Sequence, residues 1–293
     1  MLPVASAEMQ SGIFTLGPTI CRPRRYAGLQ HEEFMMAETS RRCRSQVIGI
    51  LACLALVAGG VTVSATAQDS TTPDYQAIVA SPDRSDADRQ TDKSREPVKM
   101  LGFTGVKTGM KVLDMEAGAG YSTELLARAV GPGGVVYAQD SAAVIERFVK
   151  DKFDIRAQSP AMKNVVHVIR DFDDPIPPEV NGLDLITFFF AYHDVTYMPV
   201  DRAEMNRKMF AALKPGGFLI VADHSARPGD GVAVAKTLHR IEESVLRGEI
   251  EAAGFKLVDE GSFLRHPEDP RDAAVFRPQV PVDEFVLKYQ KPL

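Results

Sequence analysis

The chain has 293 residues, a formal net charge of -5 at pH 7 and 25% charged side chains, an ordinary composition for one sizeable folded domain plus extra segments. Its mildly acidic balance, with no basic run interleaved with aromatic residues, argues against nucleic acid as a partner. Cys21, Cys43 and Cys53 all precede Ala67, so everything after that point lacks structural disulfides and thiolate metal sites.

Residues 1–34 match no recognisable signal and read as a disordered extension or a misassigned start ahead of Met35 or Met36. Residues 35–67 read as a signal peptide. Arg41-Arg42-Cys43-Arg44 precedes an uncharged apolar run from Val47 to Val63, and Ala65-Thr66-Ala67 then stands before Gln68. Cleavage after Ala67 would leave an exported protein of the periplasm or cell envelope. An uncleaved span would anchor it in the membrane, with the basic flank inside. Ser40-Arg41-Arg42 partly matches a twin-arginine signal, and Cys53 sits too far inside the run for a lipoprotein. Residues 68–97 form a polar lead followed by one or two short helices laid over the domain, a disordered linker being the alternative. Arg84 and Arg95 could close over a ligand, but solvated charge is the simpler reading of each.

The organising stretch is Val112-Leu113-Asp114-Met115-Glu116-Ala117-Gly118-Ala119-Gly120-Tyr121, an apolar strand entering a glycine turn. A helix follows from Ser122 to Val130, stopped by Gly131-Pro132-Gly133-Gly134. Glycines at such a turn let backbone amides and a helix N-terminus approach a ligand. The next strand, Gly134–Gln139, ends at Asp140, where doubly wound folds place a carboxylate on a ribose. A helix over 141–150, strands at 165–170 and 183–191, a helix over 201–213, and a strand at 218–222 follow. A long helix then runs from about Val232 to Ala253, and two strands (255–263 and 282–290) close the chain. The pattern predicts an α/β fold, a doubly wound Rossmann-like seven-stranded sheet, mostly parallel, with helices on both faces. The last two strands have no helix between them, so one must run antiparallel.

From about Val98 to Lys291 the chain resembles the class I S-adenosylmethionine (SAM)-dependent methyltransferases. The resemblance rests on the Val112–Tyr121 stretch, on Asp140, on Asp171-Phe172 and on Leu213-Lys214-Pro215-Gly216-Gly217-Phe218. The chain also resembles a bacterial subgroup of predicted methyltransferases with export signals, through Tyr192-His193-Asp194, Asp223-His224-Ser225 and Leu238-His239-Arg240-Ile241-Glu242. One departure stands out: Glu116 replaces the family's first loop glycine, and would either crowd the methionine moiety or bind its ammonium. The resemblance implies SAM as cofactor, with Asp114, Glu116, Ala117, Gly118, Gly120 and Tyr121 around its methionine end. It places Asp140 on the ribose and Asp171 with Phe172 at the adenine. Without the family, Asp114 and Asp140 read as helix or turn caps and Asp171 as part of an acidic loop.

His193 and His224 fall at the ends of the fourth and fifth strands, where ligands bind in open α/β sheets. Imidazole is suited to proton transfer near neutral pH, and a methyl donor already carries its leaving group. His193 is therefore the expected general base, oriented by Asp194 or Tyr192, with His224 as second candidate; a loop histidine merely hydrogen-bonded is the alternative. His239, Arg240, Glu242 and Glu243 read as a solvated face of the long helix. No His-x-x-x-His or carboxylate cluster has ligand spacing, so no metal site is expected. The expected reaction is methyl transfer to an unidentified small-molecule acceptor, with no nucleic acid partner and membrane contact only through an uncleaved signal. The alternative is a non-catalytic envelope protein that binds SAM or another nucleoside. A nicotinamide oxidoreductase is disfavoured because Thr123 occupies the third glycine position of the dinucleotide fingerprint.

Overall fold

A computed structural model describes residues 71–276 and 278–293. The extension and signal segment read from residues 1–67 therefore lie outside the described residues, as do residues 68–70 of the polar lead. Among the described residues no helix is long and apolar enough to cross a membrane.

Seven strands form one sheet: β1 (Lys111–Met115), β2 (Val135–Asp140), β3 (Val165–Ile169), β4 (Leu183–Phe189), β5 (Leu213–His224), β6 (Lys256–Gly261) and β7 (Glu284–Gln290). Their order is β3-β2-β1-β4-β5-β7-β6. β1 to β5 are parallel, and β7 runs antiparallel to both β5 and β6, as the missing final helix requires. The helices are α1 (Tyr75–Val79), α2 (Asp86–Arg95), α3 (Pro97–Thr104), α4 (Tyr121–Val130), α5 (Ala142–Val144), α6 (Lys152–Ala157), α7 (Tyr192–Val195), α8 (Arg202–Ala212), α9 (Ala235–Leu238) and α10 (Glu243–Ala252). Apolar strand residues alternate between two core layers: Leu113, Ile186 and Leu219 face one, Val112, Leu185 and Ile220 the other. That is the pattern of a sheet covered on both faces.

Two register relations build the site. Met115 pairs with Phe188, and Phe189 pairs with Ala222, so β1, β4 and β5 end side by side. The sheet order reverses between β1 and β4, which is where doubly wound folds open a crevice.

Two helical expectations are corrected. The helix over 141–150 is α5 followed by a π-helical turn, Ile145–Val149. The long helix over 232–253 is broken: His239 sits at φ 53° between α9 and α10, and Ile241 forms an isolated bridge with Ser225. Arg240, read as solvated, is 1% exposed. It donates to Asp269 Oδ2 at 2.8 Å and to the carbonyls of Ser225 and Ala273 at 3.0 Å each. A continuous helix would forfeit that buried pairing. The N-terminal arginines are not solvated either: Arg84 makes two 2.7 Å bonds to Asp92, and the Arg95 guanidinium lies 3.3 Å from the Phe190 ring centroid.

Candidate active site

A cavity of about 1000 Å³ opens at the ends of β1, β4 and β5, roofed by α2 and α3. From the glycine turn it takes Glu116, Ala117, Gly118, Ala119 and Tyr121; from the ends of β4 and β5, His193, Asp194 and His224; and from the break between α9 and α10, His239.

The glycine turn is clamped to β2. The Glu116 and Ala117 amides donate to Gln139 Oε1 (3.3 Å) and its carbonyl (3.0 Å), and the Gly118 amide donates to Asp140 Oδ1 at 3.0 Å. Three successive amides thus brace the loop instead of facing a ligand, contrary to the simplest reading of the glycines. Glu116 occupies φ 51°, a left-handed conformation that explains why glycine is the usual residue there. Its Oε2 is buried without a partner beside the cavity, and burial followed by the charges of Asp194 and Asp140 holds its carboxyl well above the usual carboxylate range. A cation is the natural complement of that group.

Several predicted cofactor contacts lie elsewhere. Asp114 does not line the cavity: it is 2% exposed, and its oxygens accept from Thr123 and Thr187 hydroxyls at 2.7 Å each. It is a strut between β1, α4 and β4. Asp140 does face the turn but is fully buried, with Oδ2 3.2 Å from His167 Nε2. Its engagement with the Gly118 amide is the turn-capping alternative. Gly120, at φ 81°, is covered by α6: an added Cβ would lie 2.9 Å from Arg156 Cδ. Tyr121 lines the cavity and donates to Asp92 Oδ1 at 2.7 Å. Asp171 and Phe172 line a second cavity of about 330 Å³ together with Ser141, and it shares Val144, Arg147 and Phe148 with the large one.

At the other wall, His193 is held by a partner that sequence reasoning named only as part of a segment. His193 Nδ1 lies 2.7 Å from Asp223 Oδ1, and its backbone amide donates to Asp223 Oδ2 at 2.8 Å. Asp223 is fully buried and His193 is 2% exposed. Asp194 is the second neighbour, with Oδ1 3.2 Å from His193 Nε2. Tyr192 is corrected: it is fully buried, turned away from the cavity, donating to Glu249 at 2.8 Å and accepting from Asn206 at 2.8 Å. Burial opposes charge on His193, but Asp223 and Asp194 outweigh it and push the ring up to about 10. The protonated ring is the resting form at neutral pH, and the neutral ring, once formed, is a strong proton acceptor.

His224 is pushed down to about 3 by burial. Its Nδ1 stands 2.9 Å from Glu284 Oε1 without hydrogen-bond alignment, so the ring is neutral and uncommitted. His239, expected on a solvated helix face, instead places Nδ1 3.2 Å from His193 Nε2 across 46 residues. With Asp194 these two histidines form a cluster of metal-ligand type, correcting the expectation of no such grouping. Only the left-handed turn at His239 makes this possible, and no local sequence signal marks it.

A family model described as "Methyltransferase domain" matches residues 106–253. The Ubiquinone/menaquinone biosynthesis C-methyltransferase UbiE of Pseudomonas paraeruginosa is 30% identical over 171 residues, 57% of this chain and 63% of that protein. UbiE of Idiomarina loihiensis is 34% identical over 125 residues, covering 43% and 47%. The chain thus spans less than two thirds of the length of these relatives. Among solved structures, a SAM dependent methyltransferase from Aquifex aeolicus superposes with a TM-score of 0.50 at 20% identity, covering 74% of this chain and 98% of that one. That likeness concerns the fold.

Proposed function

The chain belongs to the methyltransferase-domain family, and from that premise we propose that it transfers a methyl group from SAM to a small-molecule acceptor, with His193 as general base. The observation that carries this reading is one cavity walled by the glycine turn with the unpartnered Glu116 carboxyl on one side and by the Asp223-held His193 on the other.

The residues present suit the donor. Glu116 would take its ammonium, with Ala117 to Ala119 along the methionine chain, and Asp171 and Phe172 would border the adenine in the second cavity. Bound there, SAM supplies a methyl group on a good leaving group, so the protein's share is placement and deprotonation. Asp223 fixes the His193 ring through Nδ1; the resting imidazolium first gives its Nε2 proton to Asp194, whose Oδ1 lies 3.2 Å away, and the neutral Nε2 then takes the acceptor's proton. Asp194 and His239 stand where that proton can pass onward. The UbiE relatives are named as C-methyltransferases of ubiquinone/menaquinone biosynthesis; an apolar, ionisable acceptor suits the Phe189, Phe190 and Met100 lining here. Export to the periplasm or cell envelope, with residues 68–97 as a lid ahead of a catalytic domain over 98–293, belongs to the same proposal and is supported by the Arg41–Ala67 pattern.

The test is incubation of the full-length protein with methyl-labelled SAM and a small-molecule extract of the cell envelope. A labelled low-mass product is expected, formed about 10²–10⁴-fold more slowly by His193→Gln. Tight SAM binding with no transfer to any fraction would instead favour a nucleoside-binding protein on the same fold.

A further inference from the structure

We propose that His193, Asp194 and His239 form a binding site for a divalent transition-metal ion of the Zn²⁺ type, open to the large cavity. The three ligand atoms make a nearly equilateral triangle: His193 Nε2 to His239 Nδ1 is 3.2 Å, His193 Nε2 to Asp194 Oδ1 is 3.2 Å, and His239 Nδ1 to Asp194 Oδ1 is 3.3 Å. Zinc bonds of roughly 2.0–2.1 Å at tetrahedral angles separate neighbouring ligands by about 3.3–3.4 Å. The triangle is therefore one face of a tetrahedron already at coordination spacing, and all three residues line the cavity, which leaves the fourth position for a water or a substrate oxygen.

The surroundings are those of a built ligand set. His193 is bound through Nδ1 by the fully buried Asp223 at 2.7 Å. That carboxylate–histidine pairing fixes the tautomer and aims the other ring nitrogen at the metal. Tyr197 Oη donates to Asp194 Oδ1 and so orients the third ligand. His239 is carried on a left-handed residue, φ 53°. An ordinary side chain is strained there by about 1–2 kcal/mol. The buried Arg240–Asp269 pair and the Ile241–Ser225 bridge hold it in place. Such strain is retained where the surrounding structure over-determines it, as at ligand clamps. Two imidazoles, one carboxylate and no thiolate suit Zn²⁺, Co²⁺ or Fe²⁺ rather than Ca²⁺ or Mg²⁺. With the ion bound, His193 Nε2 is a ligand and no longer a base; the cation would instead lower the pKa of an acceptor oxygen at the fourth position, its proton passing to solvent through the cavity.

The test uses the full-length chain with Cys21→Ser, Cys43→Ser and Cys53→Ser, so that no thiol competes. After chelator stripping, the protein is titrated with ZnCl₂ by calorimetry and with CoCl₂ by visible absorption, without SAM. One equivalent bound, with the intense visible bands of tetrahedral Co²⁺, is expected. His239→Ala and Asp194→Ala should each weaken binding about a hundredfold, and Asp223→Asn by roughly ten- to a hundredfold. His266→Ala, at the partly exposed His266–Glu268 pair, should leave it unchanged. Failure of the parent to bind, or binding unaltered in a folded His239→Ala protein, overturns the proposal. Because no methyl donor is present, the titration is independent of the transfer assay: Zn²⁺ binding beside a failed transfer assay counts only against the enzymatic reading, and successful transfer beside failed Zn²⁺ binding only against the metal site.

Discussion

Asp223→Asn separates a positioning carboxylate from a passive one. Asp223 satisfies three donors from full burial: its Oδ1 accepts from the His193 ring and, at 2.8 Å, from the His224 amide, while Oδ2 accepts from the His193 amide at 2.8 Å. An asparagine has one oxygen for these three. With that oxygen at the Oδ1 place, its NH₂ meets the His193 amide, and a buried donor is left unpaired, a loss of about 1–3 kcal/mol. In the flipped pose the NH₂ faces the His224 amide and forces the other His193 tautomer. Either pose also loses a charge-assisted bond, so the expected destabilisation is about 2–4 kcal/mol. Urea unfolding followed by circular dichroism measures it without knowledge of the acceptor. A loss below about 0.5 kcal/mol, the range of an ordinary surface change, would refute the reasoning.

Arg240→Met should destabilise by about 3–5 kcal/mol, because it strands the buried Asp269; denaturant unfolding giving under 1 kcal/mol would restore the solvated helix face. Glu116→Gly should raise stability by about 1 kcal/mol through relief of the left-handed strain, less glycine's extra chain entropy. By calorimetry the same variant should bind SAM about tenfold more weakly, for loss of one charged contact. Asp114 is pushed up to about 6 by burial, with Thr187 and Thr123 opposing and Asp140 adding to the rise. Its folded pKa exceeds the unfolded one, so its contribution is full below about pH 3.9 and is lost as pH rises through about 6, about 3 kcal/mol in all. Asp114→Asn should remove that slope from unfolding free energies measured between pH 4 and 7; an unchanged slope would count against it.

Much of the fold was legible because its determinants are local. Apolar runs bounded by turns or by Gly- or Pro-stopped helices mark the strands, and the missing last helix dictates the antiparallel β7. The site was legible only where chain order fixes position, as for His193 and His224 at neighbouring strand ends. Asp114 and Asp140 stand where the motif puts them, yet Thr187 and His167, distant in sequence, decide what their carboxylates do. The break at His239 was hidden because Val234, Leu238, Ile241 and Val245 keep helical spacing and no glycine or proline lies among them. Arg240 and Asp269, 29 residues apart, override that local preference. His239 therefore reached the active site unseen.

Calorimetric titration of the full-length protein with SAM, its demethylated product and NAD tests the cradle itself. The cavity beside Glu116 predicts saturable one-to-one binding of SAM and its product, with SAM between about 1 µM and 1 mM, and no binding of NAD. Preference for NAD, or no heat with SAM, would contradict it.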